Sequence, residues 1–215
     1  MLETLITILD VLGVAVFAVT GALVASRKQM DVVGFALLAT VTGIGGGTLR
    51  DVVLGLTPVF WVQKPIYVAV CLVVAVIVFF AAHIPESRFR LLLWLDAIGL
   101  SMFCVVGADR ALDAGTTPFI AIVMGVITAT MGGVIRDVLG GEIPIILRRE
   151  VYVTAALAGA AVFVLRGVAG MPPTIAAISG FAVCLAIRGL ALHRGWSLPV
   201  YRPRPGRPPA EIDRR

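Results

Sequence analysis

Residues 43–55 read GIGGGTLRDVVLG and residues 128–141 read TATMGGVIRDVLGG, so a glycine run followed by Arg-Asp occurs twice in one chain of 215 residues. Laying one stretch on the other fixes a register of 86 residues. The same register pairs Asp10 with Asp96, Gly13 with Gly99, Phe17 with Phe103, Gly21 with Gly107 and Thr42 with Thr128. It also pairs Gly46 and Gly47 with Gly132 and Gly133, Arg50 with Arg136, Asp51 with Asp137, Gly55 with Gly141 and Pro58 with Pro144. Matches concentrated in the rarer residue types are not a product of shared hydrophobicity, and the chain reads as an internal duplication.

What surrounds the two stretches identifies the solvent. Hydrophobic residues make up 59% of the chain and charged residues 14%, with a mean hydropathy of +1.01, far from the balance of a soluble domain. Apolar windows run at 5–25, 32–56, 65–83, 91–108, 117–140, 151–168 and 172–192. Each is near the ~20 residues that cross ~30 Å of hydrocarbon as a helix. The expectation is an all-α membrane protein with seven transmembrane helices. The first window is not read as a cleaved signal peptide, because residues 1–10 carry Glu3 and no Lys or Arg.

A unit of three spans has an odd number of crossings, so its second copy enters the membrane from the opposite face. The chain is therefore expected to divide into residues 1–89, a first three-helix repeat, and residues 90–170, a second and inverted one. Residues 171–195 supply a seventh helix outside the repeat, for packing or for returning the carboxyl terminus, and 196–215 a basic, Pro-rich cytoplasmic tail.

The formal net charge of +5 is not spread as a nucleic-acid surface would spread it. Arg202, Arg204, Arg207, Arg214 and Arg215 crowd the tail, YRPRPGRPPAEIDRR, where prolines oppose a packed fold and anionic membrane lipid is the expected partner. The links after spans 1, 3 and 5 hold Arg27 and Lys28, Arg88 and Arg90, and Arg148 and Arg149, against Lys64, Arg110 and Arg166 after spans 2, 4 and 6. By the positive-inside rule the amino terminus is outside and the carboxyl terminus cytoplasmic. Trp61, Trp94 and Trp196, with His83 and His193, fall at span ends as interfacial anchors. Cys71, Cys104 and Cys184 lie within spans without paired or metal-type spacing and read as small buried side chains.

An interior glycine weakens a helix by about 1 kcal/mol relative to alanine. Gly43, Gly45, Gly46 and Gly47 in span 2, and Gly132 and Gly133 in span 5, thus mark weak points. Two readings stand: close helix packing, assigned to Gly21, Gly107 and Gly180, or a break that releases carbonyls toward a monovalent cation, favoured for the glycine runs. On the second, a potassium path passes near Gly45, Gly46, Gly132 and Gly133. Thr42, Thr48, Thr128 and Thr130 either line that path or bond back to their own helices.

Arg50 and Arg136 require counter-charges in an apolar setting, and Asp51 and Asp137 supply them. Neighbours on a helix point about 100° apart, which favours pairing of each Arg across the repeat interface; the alternative is a pair that staples the halves or snorkels to water. Counted from Val32, Arg50 lies about 27 Å along span 2, near the outer mouth, and inversion sets Arg136 near the inner one. Asp10 and Asp96, near the starts of spans 1 and 4, read as helix amino-terminal charges.

With GGGTLRDVVLG and MGGVIRDVLGG in the same places of spans 2 and 5, residues 1–195 resemble the prokaryotic trimeric intracellular cation (TRIC) channel family. The resemblance implies a homotrimer with an hourglass pore in each subunit, framed by kinked spans 2 and 5, conducting monovalent cations and chiefly potassium in a prokaryotic plasma membrane. Arg50 and Arg136 would be charged gates held by Asp51 and Asp137. No cofactor is expected beyond potassium as permeant ion and bound membrane lipid, and nucleic acid is not a partner. Bacterial members are also described as carriers of glycine or other small amino acids, and a carboxylate-binding Arg keeps that alternative open. A structural scaffold would leave the repeated charges unexplained. Nothing points to an enzyme: no metal-ligand constellation, nucleophile with a base, or nucleotide loop is present.

Overall fold

The computed structural model describes residues 2–84, 87–148 and 150–199. The basic tail from residue 200 onward and Arg149 lie outside the described residues. Within them the regular structure is helical, apart from one isolated bridge between Glu150 and Ser197. The helices are α1 (Leu2–Arg27), α2 (Val32–Leu54), the single turn α3 (Phe60–Gln63), α4 (Ile66–Ala81), α5 (Arg88–Asp113), α6 (Pro118–Leu139), α7 (Val153–Val168) and α8 (Pro173–Arg194). A 3-10 turn, Ile145–Leu147, precedes α7. Five helices, α1, α2, α5, α6 and α8, are long and apolar enough to cross a membrane, while α4 and α7 are apolar helices of 16 residues.

Local signals recur with the register of the duplication. The Asp31 carboxylate accepts from Gly34 N at the start of α2 (2.8 Å), and Thr117, 86 residues on, accepts from Ile120 N at the start of α6. Such side chains satisfy amides that the first helical turn leaves free. At the other end Gly55 and Gly141 adopt left-handed φ of 68° and 63°. Leu56 N donates to Asp51 O and Glu142 N to Asp137 O, each at 2.8 Å, closing both helices with the same Schellman turn. The chain then folds back over the helix end it has just left.

The halves meet through reciprocal contacts. α1 packs on α5 and α2 on α6, while α4 and α7 flank the first and second halves. Phe17 sits over Gly99 and Phe103 over Gly13, the two rings meeting edge to face with centroids 5.1 Å apart. A Cβ on Gly46 would collide with Thr128 O, and one on Gly132 would lie 2.5 Å from Thr42 O. At these points residue i touches the partner of j, and j touches the partner of i. α8 packs on α7 and α5, outside that relation.

The predicted break at the glycines is not found. α2 and α6 are uninterrupted helices, and the missing Cβ atoms are used by neighbours instead. Besides the Gly46 and Gly132 contacts, Gly43 lies against Cys71 and the Val14 carbonyl, Gly45 against Ile135 and Gly47 against the Phe60 ring. Close approach of backbones repays the lost propensity, so the carbonyls stay in their own helix. The threonines follow suit: Thr42, Thr48, Thr128 and Thr130 each donate to the carbonyl four residues earlier at 2.5–2.9 Å. Gly21 and Gly107 take the packing role assigned to them, against Leu38 O and Thr128 respectively.

The links after α1, α4 and α6 gather at one end of the molecule. Arg27 and Arg148 both lie over the Phe89 ring, at 4.9 and 5.7 Å, and Arg27 pairs with Glu142 at 3.1 Å. Lys64, between α2 and α4, and Arg110, in the last turn of α5, line one cavity at the other end, and Arg110 shares a second with Glu3 near the start of α1.

Candidate functional site

Arg50 and Arg136 sit four and three residues before the last residues of α2 and α6, with side chains 3% and 0% exposed. Each pairs first with the Asp beside it: Arg50 Nε and Nη2 reach Asp51 Oδ1 at 2.8 Å, and Arg136 Nε reaches Asp137 Oδ1 at 2.8 Å. Exclusive pairing across the repeat interface is thus not found, because long flexible guanidinium arms bridge the angle between adjacent positions. The second oxygen of each carboxylate holds the returning chain. Asp51 Oδ2 accepts from Phe60 N (2.8 Å) and Asp137 Oδ2 from Ile145 N (2.9 Å). Each Asp therefore fixes a guanidinium and a loop at once.

Asp10 and Asp96 belong to the same clusters and not to helix amino termini. Both lie well inside α1 and α5, and Ser87, not Asp96, caps α5. Asp10 Oδ2 accepts from Tyr67 Oη at 2.9 Å, facing the cavity that Arg50 also lines. Asp96 Oδ1 instead accepts from Arg136 Nη1 at 2.7 Å, and the same nitrogen donates to Thr20 Oγ1 of α1 at 2.9 Å. That last bond is a genuine cross-repeat contact. Tyr152 stands where Tyr67 stands, 85 residues later, because one residue is lost between Asp137 and α7.

The two clusters differ in access. Around Arg50 a cleft of about 200 Å³ opens between Asp10, Asp51, Lys64, Tyr67 and Arg110. Around Arg136 the described side chains are enclosed: Asp96, Arg136, Tyr152 and Arg188 of α8 are all at most 2% exposed, and the cavity that Arg188 lines with Glu150 is separate from Arg136. Arg188 pairs with Glu150 at 2.6 Å and lies over the Tyr152 ring at 5.2 Å. Gly133 faces this cluster, so that a Cβ there would stand 3.1 Å from Tyr152 Oη.

Sequence reasoning named Arg50, Asp51, Arg136 and Asp137 and missed Tyr67, Tyr152, Thr20 and Arg188. The tyrosines carried a signal, since the chain has three and two of them recur 85 residues apart. Thr48 is placed in a different setting, accepting from Trp61 Nε1 at 3.0 Å. Cys104 and Cys184 meet against Gly159 as free thiols.

Comparison with known proteins finds relatives along most of the chain. The family described as "Glycine transporter" matches residues 7–83 and 93–167, one block in each half. A UPF0126 membrane protein of Vibrio cholerae is 42% identical over 92% of this chain and 83% of its own length. The UPF0126 inner membrane protein YadS of Escherichia coli K12 is 41% identical over 90% and 94%. Among solved structures, the TRIC trimeric intracellular cation channel orthologue from Rhodobacter sphaeroides superposes with a TM-score of 0.88 at 60% identity, covering 90% of this chain and all of that one. A prokaryotic TRIC channel solved in 0.5 M KCl gives 0.85 at 27% identity, over 91% and 100%. Apolar helices, a duplicated Arg-Asp cluster and likeness along nearly the whole chain lead to one conclusion: this is a multi-pass integral membrane protein belonging to the prokaryotic TRIC family.

Proposed function

We propose that the chain forms homotrimers in which each protomer carries its own path for monovalent cations, chiefly potassium, bordered by α2 and α6. One observation carries the proposal: a buried guanidinium ends each glycine-rich helix, one facing an open cleft and the other sealed. Likeness to relatives described as cation channels supplies the ion. The seven helices of 16 residues or more cross the membrane as two inverted units plus α8, in keeping with the reciprocal contacts and with the gathering of the links after α1, α4 and α6 at one end. That end carries Arg27, Lys28, Arg88, Arg90 and Arg148 and is cytoplasmic by its charge; Arg50 then guards the outer mouth and Arg136 the inner. Conduction requires α2 and α6 to part at the Gly46 and Gly132 contacts.

A carrier of small amino acids is the second reading, favoured by the cleft itself. Its lining holds both signs of charge, Asp10 and Asp51 with Arg50, Lys64 and Arg110, as the ammonium and carboxylate of a zwitterion require. Recordings of the purified protein in planar bilayers with potassium salts separate the two. Ohmic unitary currents whose gating changes in Arg50→Ala and Arg136→Ala support the channel. Saturable glycine uptake into vesicles without unitary events rejects it in favour of the carrier.

A further inference from the structure

Two of the three cysteines come together where three helices cross. Cys104 of α5 and Cys184 of α8 are fully buried free thiols, and both stand against Gly159 of α7. A Cβ on that glycine would lie 2.6 Å from Cys184 Cβ and 2.9 Å from Cys104 Sγ. The two thiols are direct neighbours, with the Ser101 side chain beside Cys184, and Cys104 Sγ donates to Ser101 O at 3.3 Å. The crossing is held firmly: a Cβ on Gly159 would meet Gly180 O at 2.8 Å and one on Gly180 would meet Gly159 O at 2.8 Å, so α7 and α8 touch backbone to backbone one turn before Cys184. A disulfide needs two backbones already near each other with side chains that converge, and three packed helices hold these two cysteines in that relation. Cys71 is apart from them, against Gly43 of α2.

Burial by itself leaves a thiol inert, because the thiolate is the reactive form. Arg188 opposes that effect. It follows Cys184 by one helical turn, about 6 Å along α8, and its charge acts on that thiol. It also lines a cavity of about 250 Å³ with Glu150, Trp196 and Ser197, at the end that the proposed topology makes cytoplasmic. A small uncharged oxidant entering this cavity meets the guanidinium first and Cys184 one turn deeper.

We infer that Cys104 and Cys184 are a redox pair that peroxide converts to a disulfide, tying α8 to α5. The Cys184 thiolate attacks one peroxide oxygen; an S–O bond forms, the O–O bond breaks, and the departing hydroxide takes up the proton that Cys184 released. Cys104 then attacks the sulfenic sulfur; the S–S bond forms, the S–O bond breaks, and the hydroxyl leaves as water with the proton of Cys104. One peroxide becomes two waters while two thiols become one disulfide. The link joins the one long helix outside the repeat to the first helix of the second half. It holds for channel and carrier alike.

Thiol counting on the full-length protein in lipid vesicles tests the pair. Denatured before treatment, the protein presents three thiols to a maleimide; after hydrogen peroxide it presents one, Cys71, and peptide mapping finds a Cys104–Cys184 link that dithiothreitol reverses. Cys71→Ala falls from two thiols to none. In Cys104→Ala the second sulfur is missing, so Cys184 stops at the sulfenic acid and is captured by dimedone. The oxidised wild type unfolds at a higher temperature than the reduced one, because the link restricts the unfolded chain, and Cys104→Ala shows no such rise. Three thiols surviving peroxide, a link that includes Cys71, or a Cys184 that dimedone never captures in Cys104→Ala overturns the inference.

Discussion

Arg50 and Arg136 occupy equivalent positions and do not make equivalent demands on the fold. Arg136 is wholly buried and pairs with two buried carboxylates, Asp96 and Asp137. Removing one member of a buried ion cluster typically costs about 3–5 kcal/mol, because the remaining charge has nowhere to go. Arg50 pairs with Asp51 alone and borders a cleft where water relieves the loss. Arg136→Met is therefore expected to lower the thermal unfolding midpoint in detergent clearly more than Arg50→Met. Equal falls would show that the two clusters are equally dry. The sequence made the Arg-Asp pairs legible because charge is rare in apolar windows. It hid Asp10 and Asp96, whose distance from a helix start depends on where the helix begins: α1 and α5 each start three residues before their hydropathy windows.

Among the helices, glycine works in two ways that substitution separates. Gly55 ends α2 in left-handed backbone with open space where a Cβ would go, so Gly55→Ala costs only the backbone strain, about 1–2 kcal/mol. Gly55→Asn, which tolerates that conformation, recovers part of it. Gly46 has ordinary helical backbone and no room, and Gly46→Ala drives α2 off α6 at Thr128 O, an overpacking cost of about 1–3 kcal/mol that no choice of side chain relieves. Thermal unfolding of Gly55→Asn and Gly46→Ala checks the contrast. Glycine composition alone did not distinguish contact from break. The deciding atom, the Thr128 carbonyl on the other half of the chain, is 82 residues away from Gly46. Helix positions were more legible than glycine roles, because burial in lipid imposes helices wherever apolar windows are long enough.

For the molecule as a whole, the duplication was legible from a handful of residues in one register, whereas the asymmetry between its halves was not. α8 lies outside the register, so nothing in the repeat announced that Arg188 would enter the second cluster. The topology proposed from loop charge has a direct check. Single cysteines at Lys28 and Arg148, in a background without Cys71, Cys104 and Cys184, should react with membrane-impermeant maleimide only after the cytoplasmic face is exposed. A cysteine at Lys64 should react in intact cells. Labelling of Lys28→Cys and Lys64→Cys from the same side would refute an inverted pair of three-span units.

The crossing of Gly46 under Thr128 and of Gly132 under Thr42 has a hereditary side as well. Each copy of the ancestral segment supplies half of the socket in which its twin is seated, so neither is free to drift alone at these points. A bulkier residue accepted in one half demands a retreat by the other. Elsewhere the twins differ, one bordering a vestibule and the other lying under Arg188, while along this shared seam each is shaped to the other.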